Sequence, residues 1–228
     1  MSKLAFSPSQ QTGNQYAGGG TGRGDSEEFW MGQLSVLCKK KWDEQKTGIP
    51  CVVIDTGTLA GNIAKSNLLG ITEHLALHTN AGGVHGTELF AWKSRLGIKS
   101  SGGTKLMAAL YPFIASASNM PDRGQKWSSG YAELNSTKAF AVIAEFAFHD
   151  NAAEAEEIRK SIPEFAEATV KGLCRYYGKT YKTPAPPVVV PPPVVAPPVV
   201  PPVITPEPLP EGWAVAGQGT DWIRLEKK

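Results

Sequence analysis

His78 and Glu145 each close an apolar run, and they are the residues best placed to do chemistry. His78 ends Leu75-Ala76-Leu77 and precedes Thr79-Asn80-Ala81; Glu145 ends Ala141-Val142-Ile143-Ala144 and precedes Phe146-Ala147-Phe148-His149-Asp150-Asn151. In open α/β sheets, functional groups gather beyond the carboxyl ends of the strands. A third such end is Ser7-Pro8-Ser9-Gln10-Gln11. A histidine and a glutamate brought together there can bind a metal ion and act as a general base. His74 lies four residues before His78, about 13 Å away on a regular strand that rises about 3.3 Å per residue. It cannot share a metal with His78 and is expected to be a buried structural histidine. His149 follows Glu145 by four residues, and a turn after the strand can swing it back as a ligand or transition-state hydrogen-bond donor. It can equally cap the following helix. His85, in the loop before the next apolar run, is a further candidate ligand.

Short apolar runs at Leu4–Ser7, Ile49–Asp55, Glu73–His78, Thr87–Trp92 and Phe140–Phe146 read as strands by length and by β-branched or aromatic content. Ser26–Lys41 reads as a helix capped by Asp25 or Ser26, with Phe29, Gln33, Val36 and Leu37 tracing a face. Ala153–Tyr177 reads as a long helical region that Pro163 is expected to break. Strands interleaved with helices predict an α/β fold, with a mostly parallel central sheet and helices on both faces.

Of the 228 residues, 41% are apolar, enough for a full core. The net charge of +2 and pI near 8.4 come from scattered basic residues, so the dense basic face of a nucleic-acid binder is not expected. Cys38, Cys51 and Cys174 show no C-x-x-C spacing and are odd in number, which predicts buried free thiols. The amino end lacks an apolar stretch of roughly 7–15 residues, so no signal peptide is expected and synthesis is read as cytoplasmic. No proline-free apolar run of about 18 residues exists, so no membrane span is expected. Most of the 18 prolines fall between Pro184 and Pro210, in a segment of little but proline and valine. It reads as a polyproline II spacer reaching on the order of 80 Å. The organisation expected is a folded domain at 1–182, a spacer at 183–210 and a short tail at 211–228. Alternation around Gly217-Gln218-Gly219 suggests a hairpin in that tail, for wall binding or for assembly into an oligomer.

Five ordered segments resemble those of zinc-dependent N-acetylmuramoyl-L-alanine amidases. They are Ser66-Asn67 with His74-Leu-Ala-Leu-His78-Thr79-Asn80-Ala81, then Gly86-Thr87-Glu88, then Asp122-Arg123-Gly124-Gln125-Lys126, and then Ala141–Asn151. The opening, Ser7-Pro8-Ser9 through Asn14 to Glu27, is similar to a phage and clostridial branch of that family. Together the matches span nearly all of 1–182.

The resemblance implies a hydrolase of bacterial peptidoglycan that cuts between N-acetylmuramic acid and L-alanine. It implies Zn²⁺ held by Glu27 and His78, with Glu145 passing a proton from the attacking water to the leaving amine. A divalent cation with an open position would lower the pKa of that water towards about 7 and polarise the carbonyl. One departure stands out: Gln10 occupies the place of the family's first ligand histidine, and a neutral amide is a poor zinc ligand. A phage endolysin is the role expected, released to the wall through a holin or by lysis. A sporulation amidase, a metal-poor wall-binding pseudoenzyme and a zinc peptidase of the stem peptide are its rivals. Gly18-Gly19-Gly20-Thr21-Gly22 lacks the Lys-Ser/Thr of a phosphate loop, so no nucleotide is expected. It is read instead as a flexible loop beside the metal site. Trp127 is a core residue by default, with sugar stacking as the alternative.

Overall fold

The computed structural model describes residues 1–19, 23–183, 211, 213–218 and 223–227. All of the expected spacer at 183–210 except its first residue, and the centre of the glycine-rich loop at 20–22, lie outside the described residues. The chain divides into two units, Met1–Pro184 and Ala185–Lys228.

The first unit runs β1 (Leu4–Pro8), α1 (Glu27–Glu44), β2 (Cys51–Val53), α2 (Leu59–Leu68), β3 (Glu73–Asn80), β4 (Thr87–Trp92), α3 (Ser101–Ala115), β5 (Asp122–Ser128), α4 (Ala132–Ser136), β6 (Phe140–Phe148) and α5 (Ala152–Tyr176). Its six strands form one sheet in the order β2-β1-β3-β6-β4-β5. β2, β1, β3 and β6 are mutually parallel, and β4 joins β6 antiparallel. This is the α/β architecture expected from the alternation of strands and helices.

Strand alternation divides the side chains between two unlike faces. Leu4 and Phe6 of β1, Leu75 and Leu77 of β3, and Val142 and Ala144 of β6 enter the main core with Met31, Leu34 and Cys38 of α1, Leu106 and Leu110 of α3, and Phe165 and Leu173 of α5. The opposite face carries Ser7, His74, His78 and Glu145, under the shorter helices α2 and α4. The apolar clusters there are small: Ala76, Leu134, Ala141 and Ile143 in one, and Ala5, Ile54 and Ile71 in the other. The thick core thus lies on one side of the sheet and polar side chains are concentrated on the other.

Several local expectations change. The buried stripe of α1 is Glu27, Met31, Leu34, Ser35, Cys38 and Trp42, while Phe29 and Val36 are exposed. The cap is Ser26, whose hydroxyl accepts from the Phe29 amide at 3.2 Å. The buried stripe is therefore rotated from the face that Phe29, Gln33, Val36 and Leu37 suggest. α5 runs unbroken through Pro163, because that residue sits on the solvent side while Ile162 and Phe165 stay buried beside it. Core packing outweighs the lost hydrogen bond. The segment Asp122–Lys126, which the expected strands do not include, belongs to the edge strand β5, and β2 shrinks to three residues at the other edge. Gly172 lets α5 approach α3: a Cβ there would stand 2.7 Å from the Leu110 Cα. All three cysteines are free and buried, as expected.

In the second unit, β7 (Trp213–Gln218) pairs antiparallel with β8 (Ile223–Lys227). Among the described residues no helix is long and apolar enough to cross a membrane.

Candidate active site

Parallel pairing of β3 with β6 sets His78 directly opposite Glu145, on the same face of the sheet. Both side chains line a cavity of about 420 Å³ with Gln10, Thr58, Tyr131 and Glu133. The sheet register therefore joins the two residues whose types first suggested chemistry.

Glu27, the first residue of α1, reaches the same imidazole from behind. Its Oε1 accepts from His78 Nδ1 at 2.9 Å and from the Thr79 amide at 3.1 Å, and its Oε2 accepts from the Asn14 side chain at 2.6 Å. It is wholly buried and is not part of the cavity wall. Burial alone would raise its pKa, but the bonds from His78, Asn14 and Thr79 hold it below the ordinary value.

The other ring nitrogen of His78 meets a residue that the sequence did not single out. Glu133 Oε2 lies 2.9 Å from His78 Nε2. Its Oε1 accepts from the Ser7 hydroxyl at 2.8 Å and lies 3.2 Å from His74 Nε2. His74 is fully buried and completes its own bonding at Ser66 Oγ, 3.0 Å from Nδ1. Asn62 of α2 donates to Ser7 Oγ at 3.1 Å. A buried network thus ties α2, β1, β3 and α4 to the His78 imidazole through Glu133. Burial opposes ionisation of Glu133, yet the bonds from His74 and His78 carry its pKa far below the carboxylate range. Burial likewise works against a charged His78, but Glu133 and Glu27 on its two nitrogens, with the nearby Glu145, hold its pKa well above the ordinary value.

Glu145 differs from both of these carboxylates. It is 7% exposed, and its Oε2 is buried with no hydrogen-bond partner. Burial pushes its pKa up to about 7; His78 opposes that shift, while Glu27, Glu88 and Glu133 add to it. A carboxyl poised near neutrality in a cleft is what general-base chemistry requires. On its far side Glu88, paired with Glu145 across β4 and β6, is neutralised by Arg123 at 2.8 Å and by Lys126. This contact explains why Gly86-Thr87-Glu88 and Asp122–Lys126 belong to one constellation despite their separation in sequence.

His149 is not brought to the cavity. Its ring stacks on Tyr16 at a centroid distance of 5.7 Å, and its Nδ1 lies 3.1 Å from both the Thr79 hydroxyl and the Thr79 carbonyl oxygen. The strand continues to Phe148, so the turn that would swing His149 inward begins too late. His85 is 58% exposed and also stands outside the cavity wall. Trp127 has one ring face covered by the Lys99 ammonium, 3.3 Å from the ring centroid, and donates to Thr104.

No protein-family model and no curated protein sequence matches the chain. Solved structures do match it. The catalytic domain of CwlV, an N-acetylmuramoyl-L-alanine amidase from Bacillus (Paenibacillus) polymyxa, aligns over 79% of this chain and 100% of its own, at 16% identity and a TM-score of 0.64. An N-acetylmuramoyl-L-alanine amidase from Clostridium difficile 630 aligns over 78% of this chain and 97% of its own, at 19% identity and 0.66. The catalytic domain of the CD27L endolysin, which targets Clostridia difficile, aligns over 80% and 100%, at 16% identity and 0.61. The chain has the fold of N-acetylmuramoyl-L-alanine amidases.

Proposed function

We propose that the chain hydrolyses the amide between N-acetylmuramic acid and L-alanine in bacterial peptidoglycan. The observation that carries this reading is the pairing of His78 with an otherwise unpartnered, buried Glu145 in one cavity of an amidase fold.

A divalent cation, Zn²⁺ by the resemblance, belongs to this reading. Among the described residues no group of three or more His, Cys, Asp or Glu side chains is arranged to hold a metal ion, and each ring nitrogen of His78 is engaged by a carboxylate. The donor chemistry nevertheless suits a cation. Glu27, Glu133 and Glu145 surround one imidazole, and two buried acceptors, Glu145 Oε2 and Gln10 Oε1, have no donor. His78 and a flanking carboxylate would hold the ion, which would polarise the scissile carbonyl and make water more acidic.

The chain's own groups perform the proton transfers. Glu145 takes a proton from the water whose oxygen attacks the amide carbon. It then returns the proton to the nitrogen as the C–N bond breaks, leaving a carboxylate on the muramic acid and a free L-alanine amino terminus. The carboxylates on His78 fix its ring, and the cavity wall at Thr58 and Tyr131 offers the substrate a polar and an aromatic contact. Purified walls incubated with the protein test the assignment: new L-alanine amino termini are expected, and other new termini or none would refute it. A role as an endolysin, acting on the wall after release, extends the proposal and is supported by the likeness to CD27L. Holin and tail genes beside the coding sequence would agree with that role, whereas spore genes would contradict it.

A further inference from the structure

Hydrolysis of an amide gathers negative charge on the carbonyl oxygen as water attacks, and a site gains most from a hydrogen-bond donor already aimed at that oxygen. We infer that the Tyr131 hydroxyl is such a donor, bonding the carbonyl oxygen of the scissile amide. This rests on the amidase reading given above and adds a residue to it.

Three observations carry the assignment. The first is position. Tyr131 lines the same cavity as His78 and Glu145. It stands at the start of α4, and Glu133, two residues further on, reaches His78 Nε2 at 2.9 Å. One turn of chain therefore delivers both side chains to the cavity. The Tyr131 ring packs edge-on against Phe90, with centroids 5.1 Å apart. Phe90 pairs with Ile143 across β4 and β6, and Glu88 with Glu145 is the next pair on that face. Tyr131 thus sits over the strand pair that carries Glu145, one step of about 7 Å along it.

The second is availability. Tyr131 makes no side-chain capping bond to α4, and its hydroxyl bonds to no described residue, although the residue is only 40% exposed. Other donors on the wall are committed. The Gln10 amide donates to the Pro8 and Ser9 carbonyls and to Asp55, and the Asn62 amide donates to Ser7. Both ring nitrogens of His78 face carboxylates.

The third is that packing, not a hydrogen bond, fixes the ring. α4 is anchored by Leu134, which is buried with Ile143 and Phe90. The phenol is held in place while its O–H stays free, so no internal bond has to break when substrate arrives. Burial first, and then the charges of Glu145 and Glu88, raise its pKa, which agrees with a protonated phenol standing near the base.

The test compares the full chain with Tyr131→Phe, which keeps the ring on Phe90 and removes only the hydroxyl. Because that hydroxyl has no internal partner, Tm should stay within about 2 °C of the parent. With a soluble muropeptide as substrate, kcat should fall about 100- to 1,000-fold, as for loss of one oxyanion donor, while KM stays within about threefold. A phosphonamidate that puts a tetrahedral phosphorus in place of the scissile carbonyl carbon should bind the variant more weakly by a similar factor. A kcat within about tenfold of the parent, a loss confined to KM, or an analogue bound equally tightly would overturn the assignment. So would a larger fall in Tm, which would show that the hydroxyl serves the fold. A parent protein that releases no L-alanine termini would instead refute the amidase reading itself, so the two failures are separable.

Discussion

Replacing Glu145 by glutamine should abolish turnover and, at the same time, make the protein more stable. The carboxyl is 93% buried by its 7% exposure, lacks a partner at Oε2, and has its pKa pushed from 4.5 to about 7. An acid whose pKa is raised on folding binds its proton more tightly in the folded state. Folding stability is therefore lost as pH rises from the unfolded value towards the folded one, and is level above it. A shift of about 2.5 pKa units at about 1.36 kcal/mol each corresponds to roughly 3 kcal/mol at pH 7–8. Glutamine has no such charge to desolvate, so the variant escapes the loss. The experiment is urea or thermal unfolding of both proteins in chelator, at pH values from 4.5 to 8. Near pH 4.5 the two should differ little. By pH 7–8 the variant should be more stable by about 2–3 kcal/mol, or about 4–12 °C in Tm for a domain of this size. A gap that is absent at pH 8, or that is the same at pH 5 and pH 8, would refute the reasoning. Stability given up at a working residue is the ordinary price of a functional site.

Other perturbations test the fold and the site separately. Gly172→Ala gains up to about 1 kcal/mol of helix propensity but drives a methyl to 2.7 Å from the Leu110 backbone, and overpacking of that kind costs about 1–3 kcal/mol. Urea unfolding should therefore show a net loss, of up to about 2–3 kcal/mol. His149→Phe keeps the stack on Tyr16 and gives up the bond to Thr79, so it should lower stability by about 1–2 kcal/mol. Wall lysis by that variant should stay within about threefold of the parent, and a hundredfold loss would return His149 to the mechanism. Ser26→Ala removes the α1 cap and should cost about 1 kcal/mol, read as a lower urea midpoint with an unchanged slope.

The parts of the molecule that were legible in the sequence are those where local pattern and burial agree. β3 and β6 each contain a short apolar run, Leu75–Leu77 and Ala141–Ala144, because both faces of these central strands are covered, and the residues that end those runs meet because the register sets 78 beside 145. α3 was hidden by Gly102, Gly103 and Pro112, residues of poor helix propensity. At Gly102 a Cβ would stand 2.2 Å from the Phe140 ring as it is placed, so a side chain there would displace that ring. Glu133 was hidden for a different reason. It sits in the polar stretch Ser128–Thr137, whose only helix is the five residues of α4, so no periodicity marks it. Its meaning comes from tertiary contacts with Ser7, His74 and His78, which lie 55 to 126 residues away. The misplaced face of α1 followed from reading Phe29 and Val36 as core, when the buried stripe begins with a charged residue, Glu27, that only the site explains.

The central claim is most directly tested by digesting purified peptidoglycan and sequencing the amino termini released. The parent protein should liberate L-alanine termini, and Glu145→Gln or an excess of chelator should suppress them to background. Lysis that proceeds undiminished in Glu145→Gln, or termini other than L-alanine, would contradict the account.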